Sequence, residues 1–392
     1  MKKSYLLNVL ILCGALLVCT STWAKAENDG TSKATGEATQ ANDGDLTQKV
    51  NKLLSLLPKF SGYIQTGYNW GDKNGDNRSS FQLKRMRLII DKQVSKTFDF
   101  RAQLECFSGS TDGTAYAKKV ITVMDAYVNA HITPALHFRA GQYYLPLGFE
   151  NYDISPATLE TVDFSNICYR MVCRNAVTTP NLIDYGRDLG IMAYGDFLPS
   201  SDKKFNYLSY QLSLTNGSLP TLNDDNKSKD IVGRITIRPI EKLRIIGCYN
   251  YGEYKQTTTE TLADGTKKTV VVGNYQPMNR FITGAWYYDP NGLDLRAEYG
   301  HIQGNDANVK EDGFYALAAY RFGKFIPVVR YDMYRDKANK TSANNKDNYL
   351  IGCTYELIKD VKFQLNYIIS DYTDKVDKGT GNSLQIMCLL KF

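Results

Sequence analysis

From residue 60 to the end of the chain, apolar and polar side chains alternate at every second position, and this period restricts the fold more than any other feature. In "FDFRAQLECF", Phe98, Phe100, Ala102, Leu104 and Cys106 share one face, and Asp99, Arg101, Gln103 and Glu105 share the other. "VKFQLNYIIS" sets Val361, Phe363, Leu365, Tyr367 and Ile369 against Lys362, Gln364, Asn366 and Ser370. The last ten residues, "SLQIMCLLKF", do the same with Leu384, Ile386, Cys388, Leu390 and Phe392. A period of two puts successive side chains on opposite faces of a strand, so each strand has one greasy and one polar, often charged, face. A soluble sandwich with charges outside shows the same pattern.

The connections separate the two. Tight links at 94–97, 133–135, 239–242, 289–292, 323–324 and 358–360 alternate with longer polar links at 71–78, 110–118, 217–229, 255–269, 303–310, 337–344 and 374–379. Strands are expected to start near 60, 79, 96, 119, 135, 186, 205, 230, 242, 276, 292, 311, 325, 345, 361 and 380. That is about sixteen, an even count with short turns at one rim and long loops at the other, as in a transmembrane antiparallel β-barrel. The greasy faces then meet lipid, and pairing of the last strand with "FSGYIQTGYNW" removes both sheet edges. A helical membrane bundle is excluded: apolar content is 43% and only one long apolar run exists. The 28 tyrosines and 16 phenylalanines suit a protein with two membrane–water interfaces.

That single run lies in "MKKSYLLNVLILCGALLVCTSTWAKA", with Lys2 and Lys3 ahead of an apolar stretch and Ala24-Lys25-Ala26 at its exit. It reads as a signal peptide over residues 1–26, so the protein is exported. Residues 27–44 read as a flexible linker and residues 45–58 as a short amphipathic helix carrying Leu46, Val50, Leu53, Leu54 and Leu57. The barrel takes residues 59–392. Of 47 basic residues, losing Lys2, Lys3 and Lys25 leaves 44 against 41 acidic, a balance with no footprint for nucleic acid. No cofactor is expected, and His131, His137 and His301 lack metal-ligand spacing with the cysteines.

One link breaks the alternation. Residues 145–185 are too long for an ordinary loop and too rich in apolar and aromatic residues for disorder, so they are expected to fold into the lumen. Cys168 and Cys173, bracketing "YRMV", are expected as a small disulfide, with two reduced thiols as the alternative.

"VMDAYVNAHITPALHFRAGQYYLPLGFE", with Asp125-Ala126-Tyr127-Val128, a short turn, Arg139-Ala140-Gly141-Gln142-Tyr143-Tyr144 and Pro146-Leu147-Gly148-Phe149-Glu150, resembles the phosphate-selective porin O/P family. "FQLKRMRLIIDKQVSKTFDFRAQLE", with Arg85 and Arg87, fits the same resemblance, which covers about residues 60–392 and is strongest over 80–165. It implies a sixteen-stranded barrel in the outer membrane of a Gram-negative bacterium, generally trimeric, passing small anions or hydrophilic solutes. The segment 145–185 then matches a porin's constriction loop. The terminal aromatic resembles the signal read by the barrel-assembly machinery.

Selective members line the pore with arginines, whose planar fork suits oxyanions. The positions that alternation places inward here, with the loop, give Arg85, Arg87, Arg101, Arg139, Arg170, Arg174, Arg234, Arg238 and Arg330 as the pore-lining, anion-binding set. Arg244, Arg296 and Lys362 share that face, as do Asp91, Asp99, Glu105, Asp125, Asp294, Glu298 and Asp332. Charges this closely mixed also fit a second reading, in which pairs hydrate and brace the wall. The expected function is passive diffusion, with an anion or phosphate preference. The alternative is an outer-membrane binding or adhesion barrel with a plugged lumen. An enzyme is not expected: His131 and His137 flank a short turn with no serine arrangement to join them.

Overall fold

The structure is a computed structural model that divides into Met1–Leu56 and Leu57–Phe392. It describes Gln48 and residues 57–73, 76–109, 119–172, 186–217, 228–254, 257–261, 267–271, 275–305, 309–342, 344–373 and 379–392. The expected signal peptide and linker lie outside the described residues, as does the expected helix except for Gln48, which is helical, and residues 57–58.

Among the described residues there are eighteen strands: β1 (Lys59–Lys73), β2 (Asp76–Gln93), β3 (Phe98–Gly109), β4 (Lys119–Thr133), β5 (Leu136–Tyr144), β6 (Arg187–Pro199), β7 (Asn206–Thr215), β8 (Asp230–Ile240) and β9 (Leu243–Tyr254). Then come β10 (Thr257–Thr261), β11 (Lys267–Val271), β12 (Gln276–Tyr288), β13 (Leu293–Gly304), β14 (Lys310–Tyr320), β15 (Phe325–Asp336), β16 (Lys346–Ile358), β17 (Val361–Tyr372) and β18 (Thr380–Lys391). All but β10 and β11 form one closed antiparallel barrel in which each strand pairs with its sequence neighbour and β9 passes to β12. Closure runs from Tyr63↔Lys391 to Lys73↔Gly381, and Gly62 and Phe392 exchange backbone hydrogen bonds of 2.9 and 3.0 Å. No strand edge is left in the barrel, the condition for spanning hydrocarbon.

Two long polar links are corrected. Residues 71–78 belong mostly to the ladder (Gly71↔Arg78, Lys73↔Asp76), and 255–269 contains most of the β10–β11 hairpin standing off the barrel. β10 reads TTTET and β11 KKTVV, β-branched enough to form strands but too polar to be read as membrane-facing.

Burial follows the period of two. On β17, Lys362, Gln364 and Asn366 are buried while Phe363, Leu365 and Tyr367 face out. At the rim of short turns, exposed Phe60, Phe98, Phe197, Tyr320, Phe325 and Phe392 form an aromatic girdle.

The inner face is not uniformly polar. On β8 to β16, Val232, Ile246, Met278, Ile282, Trp286, Ile302, Tyr315, Leu317, Val328 and Leu350 point inward and are buried. They share one apolar core with Leu145, Leu147, Phe149, Ile154, Leu159, Ile167, Met171 and Val172 of the long loop. The loop thus uses half the wall as its hydrophobic partner. Burial of this area supplies the main driving force for its inward packing.

Candidate functional site: a loop fastened across the lumen

After Tyr144 the loop enters the barrel through a short helix, α1 (Phe149–Tyr152), preceded by Gly148 at φ 70°. A side chain on Gly148 would meet the Glu298 carboxylate at 2.8 Å, and that same carboxylate accepts the Phe149 N–H at 2.7 Å. Glycine is thus required both by its backbone angle and by the close approach. Further on, a π-helical turn over Ile167–Val172 packs on β13 and β14. A side chain at Gly300 or Gly313 would strike the Met171 sulfur at 2.9 or 2.6 Å, so these glycines form its socket.

Charged side chains of the wall hold the loop from several directions. Arg234 donates to the Asp153 carboxylate at 2.5 Å and to the Gly148 carbonyl at 3.1 Å. Arg296, fully buried, donates to Glu160 at 2.8 Å and has Glu150 and Asp294 each 3.8 Å away. Arg330 donates to the Asp163 carbonyl at 2.8 Å, and Arg280 to the carbonyls of Met171 and Val172 at 3.1 and 2.8 Å. Lys362 donates to the Leu159 carbonyl at 2.7 Å. From β2, Arg85 donates to Tyr169 Oη at 2.8 Å and to Gln65 at 2.5 Å. Lys84 holds Asp163 at 2.7 Å, with Arg85 3.7 Å from the same carboxylate. Asp163 also accepts from Gln385 of β18 at 2.7 Å.

Lys84 escaped the alternation rule for a physical reason. Gln65 pairs with Arg85 but Thr66 pairs with Leu83, so Lys84 is the extra residue of a β-bulge. A bulge re-aims a side chain, and here two successive bases reach one loop carboxylate. Burial pushes the Asp163 carboxyl up, but Lys84 and Arg85 outweigh it and hold it well below the usual carboxylate range. At Glu160 burial likewise opposes ionisation, and Arg296 overcomes it.

Among the remaining members of the expected arginine set, Arg87 donates to Glu105 at 2.9 Å, and Arg101 makes a two-pronged contact with Asp91 at 2.7 and 3.0 Å. Arg139 donates to Asn129 at 2.8 Å and lies 4.1 Å from the Tyr127 ring. Arg238 donates to the Glu241 carbonyl at 2.6 Å at the short-turn rim. Arg170 is half-buried on the π-helical turn, and Arg174 lies outside the described residues. The structure therefore brings Arg85, Arg234 and Arg330 together around the loop and leaves Arg87, Arg101, Arg139 and Arg238 along the β2–β8 wall. Sequence reasoning placed Arg296 and Lys362 inward but not on the loop, and missed Lys84 and the inward-facing Arg280. Cys168 is buried; Cys173, its expected disulfide partner, lies outside the described residues.

Comparison with known proteins agrees with this geometry. The family model described as phosphate-selective porin O and P matches residues 61–167. An uncharacterized protein of Aquifex aeolicus (strain VF5) is 28% identical over 104 residues, a quarter of this chain and a quarter of that protein. Among solved structures, the anion-selective porin from Comamonas acidovorans superposes with TM-score 0.60 at 15% identity, over 86% of this chain and 99% of that one. OmpT, an outer membrane protein of Vibrio cholerae solved in its trimer form, gives TM-score 0.55 at 12% identity, over 86% and 99%. At these identities the structural likeness is one of fold.

Proposed function

We propose that this chain is an outer-membrane porin of a Gram-negative bacterium, passing small hydrophilic solutes by passive diffusion with a modest preference for anions. One observation carries the reading: a loop from between β5 and β6 is held across a closed sixteen-stranded barrel by wall arginines and lysines, several of which spend their hydrogen bonds on uncharged carbonyls. Lys362 on Leu159 O is of this kind, whereas Arg330, bonded to Asp163 O, also has the Glu150 and Asp332 carboxylates 3.9 and 3.7 Å away. A cation bonded to a carbonyl keeps its full charge and attracts anions, whereas one paired with a carboxylate largely loses that field. Arg87 with Glu105 and Arg101 with Asp91 belong to the second kind. The preference expected is therefore weak, without the dense run of uncompensated bases that tight phosphate capture needs.

The barrel is read as a homotrimer, by the likeness to an outer membrane protein solved in a trimer form. Lipid covers its exposed apolar band, and the barrel-assembly machinery inserts it. The test is the reversal potential of the purified protein in a planar bilayer under a potassium chloride gradient, followed by phosphate titration. An anion-directed potential with little phosphate block supports the reading; a cation-directed one overturns the anion preference.

A second reading, a barrel plugged by its loop and working through its outer loops, draws on the extensive apolar core between loop and wall. It requires that the purified protein carry no current.

A further inference from the structure

We propose that His131 and His137 form a two-histidine site for a first-row transition-metal ion, such as zinc, nickel or copper, on the lumen wall near the short-turn rim. The two are direct partners in the β4–β5 register, on the same inward face as Asn129 and Arg139. Their Nδ1 atoms are 3.1 Å apart, with the rings roughly perpendicular at 73°. Zinc–imidazole bonds are about 2.0–2.1 Å, which puts two neighbouring ligand nitrogens about 2.9 Å apart at a right angle and about 3.4 Å apart in a tetrahedron. The observed separation lies between these limits, so the two Nδ1 atoms already stand at the spacing that one shared ion requires.

Three further contacts prepare the pair. Asp99 Oδ2 lies 2.5 Å from His131 Nε2. A carboxylate there accepts the Nε2 proton and leaves the lone pair on Nδ1, the arrangement that orients metal-bound histidines and raises their basicity. Asp99 is itself held by Asn129, which donates to Oδ1 at 2.6 Å, and Asn129 Oδ1 accepts from Arg139 at 2.8 Å. On the other side His137 stacks on Tyr194, centroids 5.0 Å apart at 29°. Without metal, the His137 Nδ1 proton is donated to His131 Nδ1. When the ion binds, that proton moves to Nε2 of His137 and both Nδ1 lone pairs go to the ion.

The His131 side chain keeps 32% of its exposure, so lumen water can supply the remaining ligands. No group of three ligating side chains occurs among the described residues, so binding is weaker than in a closed four-ligand site and the ion exchanges with solution. The spacing of six residues showed no site in the sequence; the hairpin register makes it.

The test is calorimetric titration of the tag-free, detergent-folded protein with zinc chloride at neutral pH, alongside copper(II) electron paramagnetic resonance. One ion per chain and a spectrum with two nitrogen ligands are expected. His137→Gln should weaken binding at least as far as Asp99→Asn, for which a 10–100-fold loss is expected of an outer-shell carboxylate, roughly. His301→Gln, on the outer face, should change nothing. No binding by wild type at millimolar zinc, or wild-type affinity in His137→Gln, would overturn the site, and wild-type affinity in Asp99→Asn would overturn the part given to Asp99. Should His137→Gln fail to fold, the nitrogen count in the wild-type spectrum decides alone.

Discussion

Arginine in this lumen acts chiefly as a fastener. Arg296 sits fully buried between Glu150, Glu160 and Asp294, and replacing it removes the counter-ion bonded to Glu160 and the one facing Asp294, while Glu150 keeps Arg330 at 3.9 Å. Breaking a buried pair from one side costs about 3–5 kcal/mol. Arg296→Met should therefore lower the unfolding midpoint of the detergent-solubilised barrel by several degrees and open residues 145–172 to protease, with Arg296→Lys between it and wild type. Asp163 is the acid that most closely offsets the bases of β2. Asp163→Asn removes a negative charge while Lys84 and Arg85 remain, and should shift the reversal potential toward anions. Its pH response follows from the direction of its shift. A carboxyl whose folded-state value lies below its unfolded value stabilises above the unfolded value and loses that contribution as pH falls through the folded one. Since Lys84 and Arg85 hold Asp163 below the ordinary value of about 3.9, the loop should stay anchored from neutral pH down to about pH 4. Unaltered conductance over that range is the expected reading; loosening near pH 5–6 would contradict it.

At the scale of elements, the strands were legible and the loop only half so. Strand starts fall within three residues of their expected positions because each strand has a different solvent on its two faces, and that difference is written at period two. The inward packing of residues 145–172 followed from their apolar content. Their partners did not, because inward positions such as Ile246, Ile282 and Leu317 are as apolar as their outward neighbours, and alternation is silent where both faces are greasy. The bulge at Lys84 was equally invisible, since an extra residue shows only once two strands are in register. The Met171 socket offers a test of the loop's seat. Gly313→Val places a side chain where the Met171 sulfur lies, so it should displace the π-helical turn and alter single-channel current, while leaving the outer face of β14 and the barrel intact. Currents indistinguishable from wild type would show that the turn does not border the conducting path.

For the whole molecule, the chain solves two burial problems with one set of strands. The outer faces turn their apolar residues away from the lumen, with an aromatic girdle at the short-turn rim, and the inner faces divide between an apolar half that seats the loop and a charged wall. The fold was thus readable as a membrane barrel from composition and period, whereas the function depends on how much open lumen remains beside a well-packed loop. Single-channel recording of the purified wild-type protein in a planar bilayer tests this most directly. Steady, reproducible conductance steps with weak anion selectivity are predicted; a folded, membrane-inserted protein that carries no current would contradict the pore and favour the plugged barrel.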